Sequence, residues 1–491
     1  MEISDRLDAE AIDKLSVETT NKRNLYWAFS ILSFLILVSM VYTRANVYYI
    51  YLVTYIWFGV AYGMMLQYGR FCFASAARDL FANGVARMAV GIMAALVFFG
   101  LIQASLNAAN MSTFEPGPFG IHMVIGGLVF GVGMVLAGGC ASGVLYKVGE
   151  GNGTALLAVL VMGFSQAIFA VAGGPLMRIL PQSWIKSAAT KGLPPGKINS
   201  WYDVYLSGYI WNKPATQIAK TSLIAKTFPG ASGYFVGDAL LSVILPAILI
   251  LALIYIIWIR KSFIKKVIKA KGSAGFHDEL AGFWGMVTAS KRTTLTGVLI
   301  GITAGLQMWV LKGMQNKFGI SNFGTLLTKM GHTVDLSTTG KVFDSGFWVI
   351  ATQESQFAAW VMEKLGMNMH SNVFFGVMSG VPAIWRNPEL WMIVGIVLGS
   401  MVVALINREF KWKWPKGELI IFGILGGLLM GIGSRLSLGC NVGAFFDRAA
   451  GGDPSGWLFF AGMVTGAFVG VKFLNWHTER KMEKAMEAFD I

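Results

Sequence analysis

Ten apolar stretches recur along the chain, at about 25–43, 47–66, 85–106, 121–139, 154–174, 237–259, 293–311, 388–406, 419–438 and 456–474. Each is close to the ~20 residues that an α-helix needs to cross a bilayer. In lipid every backbone N–H and C=O must be satisfied within its own segment, so such stretches form helices. The fold class expected is therefore an all-α polytopic membrane protein of about ten crossings. Composition agrees, with 55% hydrophobic and 13% charged residues. The net charge of +14 sits mainly in connections, notably "RKSFIKKVIKAKG" at 260–272. It reads as a topology signal, and no nucleic-acid partner is expected.

Between the crossings lie apolar pieces too short to span, near 71–81, 140–147, 317–327, 371–382 and 440–447. Each is bounded by Gly, Asn or charge, and the bilayer tolerates such half helices only where protein or a cavity surrounds them. The stretch 346–364 carries Gln353, Glu354 and Gln356 at its centre and reads as interfacial or buried in protein. The polar N-terminus reads as a cytoplasmic helix and not a signal peptide. Basic residues in 260–292 and 407–418, and none in 107–120, place the first two inside and the last outside. Both termini are then cytoplasmic and the loops at 177–236 and 312–387 external.

One stretch occurs twice. "GGLVFGVGMVLAGGCASG" (126–143) and "GGLLMGIGSRLSLGCNVG" (426–443) share nine identities in eighteen positions without a gap, where ordinary composition gives about one or two. The crossing count has the first copy (47–174) entering from outside and the second (293–474) from inside, so the repeats are expected to be inverted. In such transporters the substrate site lies at the repeat interface. The remaining divisions are 1–46, an N-terminal segment with the first crossing; 175–292, an outer loop, a crossing and the basic linker; an insertion near 325–385; and a cytoplasmic tail, 475–491. Arg70-Phe71-Cys72-Phe73 aligns with Lys317-Phe318-Gly319-Ile320, which leaves the second copy without a counterpart of Cys72.

Only three cysteines occur, Cys72, Cys140 and Cys440, with no CxxC pair and no histidine cluster, so neither a disulfide framework nor a metal or other cofactor is expected. In Gly139-Cys140-Ala141-Ser142-Gly143 and Gly439-Cys440-Asn441-Val442-Gly443 the glycines let backbone approach a ligand, and the cysteine offers a weak S–H donor and a polarizable sulfur. Half-helix N-termini supply free N–H groups and a partial positive charge, which replace the water an oxyanion loses at membrane depth. That combination suits a soft, sulfur-bearing anion held by reversible hydrogen bonds. A buried lone cysteine is often plain packing; recurrence at equivalent positions favours function.

The glycines at 126, 127, 131 and 133, matched at 426, 427, 431 and 433, read as helix-packing positions. Arg70, Arg78 and Asp79 read as snorkelling or paired groups, and Glu150 as a structural partner of Lys147 or Arg448. Arg435, inside an apolar run five residues before Cys440, is a site candidate or a partner of Glu150 or Asp447. Two other classes stay open. A sulfur- or selenium-transferase needs a base beside an activated thiol, and His122 alone lies near a motif. A passive channel needs no thiols at its constriction.

"GRFCFASAARD", "GGCASGVLYKVGEGNG" and "SRLSLGCNVGAFF" resemble the signature segments of the YeeE/YedE sulfur-transport family, over roughly 47–174 and 293–474. The resemblance implies a bacterial inner-membrane protein, not an enzyme, with an hourglass-like helical fold whose short helices meet at the middle. It also implies a path along which the thiols of Cys72, Cys140 and Cys440 hand on thiosulfate or a related selenium compound. No GxxxxGK[ST] loop is present. Energy then comes from gradients, from downstream consumption or from a partner, the candidate being a cytoplasmic sulfur-carrier protein.

Overall fold

A computed structural model of the chain describes residues 2–114, 121–177, 226–320, 323–332, 348, 350–369 and 381–489. The outer loop at 177–236 falls largely outside the described residues, as do 333–347 and 370–380 of the insertion near 325–385 and with them most of the half helix expected at 371–382. Among the described residues the chain is helical, with ten helices long and apolar enough to cross a membrane.

The first half consists of α1 (Glu2–Ala45), α2 (Ile50–Gly69), α3 (Phe73–Asn83), α4 (Arg87–Ala108), α5 (Ile121–Leu136), α6 (Ala141–Gly149) and α7 (Gly153–Met177). A helix α8 running Ala231–Lys271 and a short α9 (Phe276–Thr288) form the basic linker. The second half follows with α10 (Lys291–Phe318), α11 (Phe323–Lys329), α12 (Ala351–Lys364), α13 (Pro388–Ile406) and α14 (Glu418–Leu436). It closes with α15, which is π-helical over Asn441–Phe446 and α-helical over Asp447–Ala450, and with α16 (Ser455–Phe489). Several crossings are longer than their apolar core: 237–259 lies inside α8 and 456–474 inside α16, because polar turns continue the helix beyond the apolar stretch.

Four long helices end in the same way. Arg70, Gly138, Gly319 and Leu438, just after α2, α5, α10 and α14, are left-handed, with φ of 53°, 70°, 61° and 55°. A backbone bond then reaches back over the turn: Phe71 N–H to Leu66 O, Gly139 N–H to Met134 O, Ile320 N–H to Gln315 O and Gly439 N–H to Ser434 O, at 2.8–3.0 Å. This Schellman-type stop reverses the chain into a short helix. It also corrects the expected register, because Arg70 and Gly319 occupy one position. Cys72 is therefore matched with Ser321, not Gly319, and the piece expected at 317–327 is two elements, the end of α10 and α11.

Glycines set how closely the halves approach. Where α5 crosses α14, a Cβ on Gly126 would meet the Gly433 carbonyl at 2.9 Å, and one on Gly433 the Gly126 carbonyl at 2.7 Å. Gly133 meets the Gly426 carbonyl at 2.8 Å. Residue 126 thus pairs with 433 and 133 with 426, so the two equivalent helices run antiparallel. The neighbouring contacts are reciprocal as well: Gly127 of α5 packs on Phe459 of α16, and Gly427 of α14 packs on Ala158 of α7. As expected, these are packing positions. Lipid gives helices no hydrophobic drive to associate, so close van der Waals contact between small residues must hold them.

Helix α12 contains the polar stretch Gln353-Glu354-Ser355-Gln356, all four buried. It lies inside protein, with the Gly163 position of α7 against the Glu354 backbone. Gln356 accepts a hydrogen bond from Asn387, whose Oδ1 in turn caps α13 by accepting from Glu389 N–H at 3.1 Å.

Candidate functional site

Each cysteine is the N-cap of a short helix: Cys72 of α3, Cys140 of α6 and Cys440 of α15. None makes a regular side-chain capping hydrogen bond, so each thiol sits over the start of its helix. All three are fully buried and free. The sequence treats them as separate thiols, but two are in contact: Cys72 Sγ and Cys140 Sγ lie 3.6 Å apart, and Ser142 Oγ lies 3.4 Å from Cys140 Sγ. The backbone N–H groups of Cys140 and Ser75 face the Cys72 sulfur, and that of Phe73 faces the Cys140 sulfur.

Gly143 makes the thiol pair possible. A Cβ there would fall 2.5 Å from Cys72 Sγ and 3.2 Å from Cys140 Sγ. Gly139 and Gly439 are equally confined: a Cβ would meet the Val144 nitrogen at 3.1 Å and the Ala444 nitrogen at 2.8 Å. Gly443 is buried, and its carbonyl carbon would lie 3.1 Å from a Cβ on Gly439.

The Cys440 sulfur faces the N–H groups of Val442 and Gly443 and that of Ala351, the first residue of α12. Asn441 beside it is fully buried, and neither of its amide atoms has a hydrogen-bond partner among the described residues. Aromatic contacts tie this end to the thiol pair. Phe73 meets Phe445 edge-on at 6.0 Å, and Phe446 meets Phe99 at 5.3 Å.

The charged residues are arranged differently from expectation. Arg70 pairs with Glu150 and, at 2.9 Å, with Glu409, so Glu150 serves neither Lys147 nor Arg448. Lys147 donates to the Gly138 carbonyl, satisfying the turn before Cys140, and Arg448 donates to Ser455 Oγ at 3.2 Å. Arg435 is buried in the last turn of α14. Of its two expected partners, Glu150 is engaged by Arg70, and neither Asp447 oxygen accepts a hydrogen bond among the described residues. His122 is fully buried, and its ring nitrogens have no hydrogen-bond partner among the described residues; it is not hydrogen-bonded to a thiol.

Sequence comparison decides the family. The pattern of the sulphur transport family matches residues 68–469, most of the chain and all three cysteines. The chain belongs to the sulphur transport family. It is similar to the thiosulfate transporter TsuA of Spirochaeta thermophila, at 28% identity over 82% of this chain and 92% of the relative. The thiosulfate transporter TsuA of Escherichia coli is 24% identical over 88% of this chain and 96% of the relative. A shorter match, 39% over 99 residues, is to the probable transporter YedE of Salmonella typhimurium, covering 19% of this chain and 23% of the relative. The chain is accordingly a multi-pass membrane transporter of a sulfur compound and not an enzyme.

What the sequence did not reveal is the contact between Cys72 and Cys140 and the approach of α12 to Cys440. Both are long-range. The only local signal was the pair of glycines that leaves room for a large atom beside each thiol.

Proposed function

We propose that this protein imports thiosulfate across a bacterial inner membrane through a path that passes the thiols of Cys72, Cys140 and Cys440. The observation that carries the reading is the thiol pair at 3.6 Å, built on two helix N-termini and admitted by a glycine. N–H groups at the helix starts stabilise the oxyanion end of the ion, and thiols offer weak, exchangeable hydrogen bonds to its sulfur end. Gly139, Gly143, Gly439 and Gly443 admit the ion, and Asn441 and Arg435 supply polar and cationic groups near the Cys440 end. The two halves, 47–174 and 293–474, are inverted repeats, a reading the antiparallel crossing of α5 and α14 supports. The basic linker at 260–292 and both termini are cytoplasmic, so the short helices are fed from the outer face. A cytoplasmic sulfur carrier consumes the product, and a selenium analogue of thiosulfate competes for the same path.

Uptake of labelled thiosulfate into proteoliposomes holding only this chain tests the proposal. Cys140→Ala and Cys440→Ala each remove an S–H hydrogen bond of about 1 kcal/mol, which slows transfer severalfold or more at matched protein level. Cys72→Ala, which removes the other member of the pair, behaves like Cys140→Ala. Normal uptake by the Cys140→Ala, Cys440→Ala double variant would end the proposal.

A further inference from the structure

Cys440 has a neighbour in α12. Glu354 lies one turn into that helix and is 3% exposed. Neither carboxyl oxygen has a hydrogen-bond partner among the described residues. Three residues earlier Ala351 turns its N–H to the Cys440 sulfur, so the first turn of α12, which ends at Glu354, starts at that thiol. Two amides close by in sequence, Gln353 in α12 and Asn441 next to Cys440, are buried and unpaired among the described residues. A carboxylate in such a place is far costlier than the neutral acid, because nothing replaces its hydration.

No described cation neutralises it. Helix α7, packed on α12, carries no titratable side chain over Gly153–Met177, and α13 carries only Glu389. From α15 come Cys440, Asp447 and Arg448, and Arg448 is turned to Ser455 and Met123. On α12 itself, Glu363, nine residues further along, accepts from Val381 N–H at 2.6 Å, and Lys364 lies in the last turn, at the far end of the helix from Glu354. A metal ion needs several oxygen or sulfur ligands, and no group of three His, Cys, Asp or Glu is assembled among the described residues. A single carboxyl can hold one thing without other ligands, a proton.

We infer that Glu354 carries a proton that travels with the sulfur anion past Cys440, so that transport is proton-coupled. The inference rests on Cys440 belonging to the substrate path. The neutral carboxyl donates its O–H to the arriving dianion. The O–H bond then breaks, the electron pair stays on the carboxylate, and the proton leaves to water on the proton-poor side. The ionised Glu354 repels a second anion in the same dry pocket until a proton from the other side restores the acid. Each cycle moves one dianion and one proton.

The test uses the full chain in proteoliposomes with labelled thiosulfate, a lumenal pH dye and a clamped membrane potential. A gradient of one pH unit, acid outside, corresponds to a concentration ratio of about tenfold per proton. Wild-type uptake should rise severalfold under it, and added thiosulfate should acidify the lumen. Glu354→Gln, of the same size and still a hydrogen-bond donor but unable to release a proton, should lose both responses even where it retains reduced thiosulfate exchange at zero gradient, and Glu354→Asp should regain part of them. Wild-type exchange that ignores the gradient, uptake driven instead by a sodium gradient, or a Gln variant that keeps the response would overturn the proton assignment and leave the thiol path standing. Absence of any thiosulfate exchange in the wild type would remove the path and this inference together. Should Glu354→Gln fail to fold, the wild-type dye signal decides alone.

Discussion

At the scale of single residues, the thiol pair depends on an absent side chain. Gly143→Ala places a methyl 2.5 Å from Cys72 Sγ, inside any allowed contact. The sulfurs must part or α6 must shift, at about 1–3 kcal/mol. Thiosulfate uptake by Gly143→Ala should fall severalfold at normal expression, and Gly139→Ala, whose Cβ meets atoms at 3.1 Å, should suffer less. The left-handed turn makes a second comparison. A Cβ on Gly138 meets nothing within 4 Å, so Gly138→Ala costs only backbone strain, about 1 kcal/mol. Leu438 already bears that strain at φ 55°. Leu438→Gly should therefore raise the melting temperature of detergent-solubilised protein, provided the lost side chain contributes less packing than the strain it relieves, and Gly138→Ala should lower it.

At the scale of elements, the α8–α9 hairpin is held by ion pairs outside the apolar zone. Lys271 bonds Asp278 at 2.8 Å, and Arg260 bonds Glu279 at 2.7 Å. The Lys271 hydrogen bond holds Asp278 below the usual carboxylate range, and the Arg260 hydrogen bond does the same for Glu279. A lowered folded-state value means that the contribution is complete above the ordinary carboxylate range and is lost as pH falls through the lowered one. Hydrogen-exchange protection of 276–288 should thus hold from neutral pH into mild acid and drop below about pH 4, where Asp and Glu ordinarily titrate. The existence of the long helices was legible because lipid forces every span to announce itself by apolar length. The breaks after α2, α5 and α14 were legible as short apolar pieces near 71–81, 140–147 and 440–447, but the residue that takes the left-handed position was not, since it is glycine in two of the four turns and not in the others. Arg70 fills it after α2, which is why the register of Cys72 was misread by two residues. The burial of Gln353 and Glu354 was legible as a conflict between polarity and a hydrophobic setting, but their neighbours were not, since nothing local in 346–364 points to Cys440.

At the scale of the whole molecule, the ten candidate crossings among the described residues, an even number, fit the proposed cytoplasmic position of both termini, and reporters fused at residues 1 and 491 should report the same compartment. A thiol-reactive reagent that cannot cross the membrane should reach Lys269→Cys from that side only. The native cysteines, fully buried, give little background. Labelling of Lys269→Cys from the opposite side would overturn the proposed orientation. The reciprocal glycine contacts carry the last consequence. Because α5 packs on α14 and α16, while α14 packs also on α7, each half is threaded through the other like clasped fingers. Among the described residues, each half therefore packs part of the other between its own helices. A fragment ending before α8 would leave Gly126, Gly127, Gly131 and Gly133 facing lipid instead of their partners in α14 and α16, so the first half should not reach its packed form without the second.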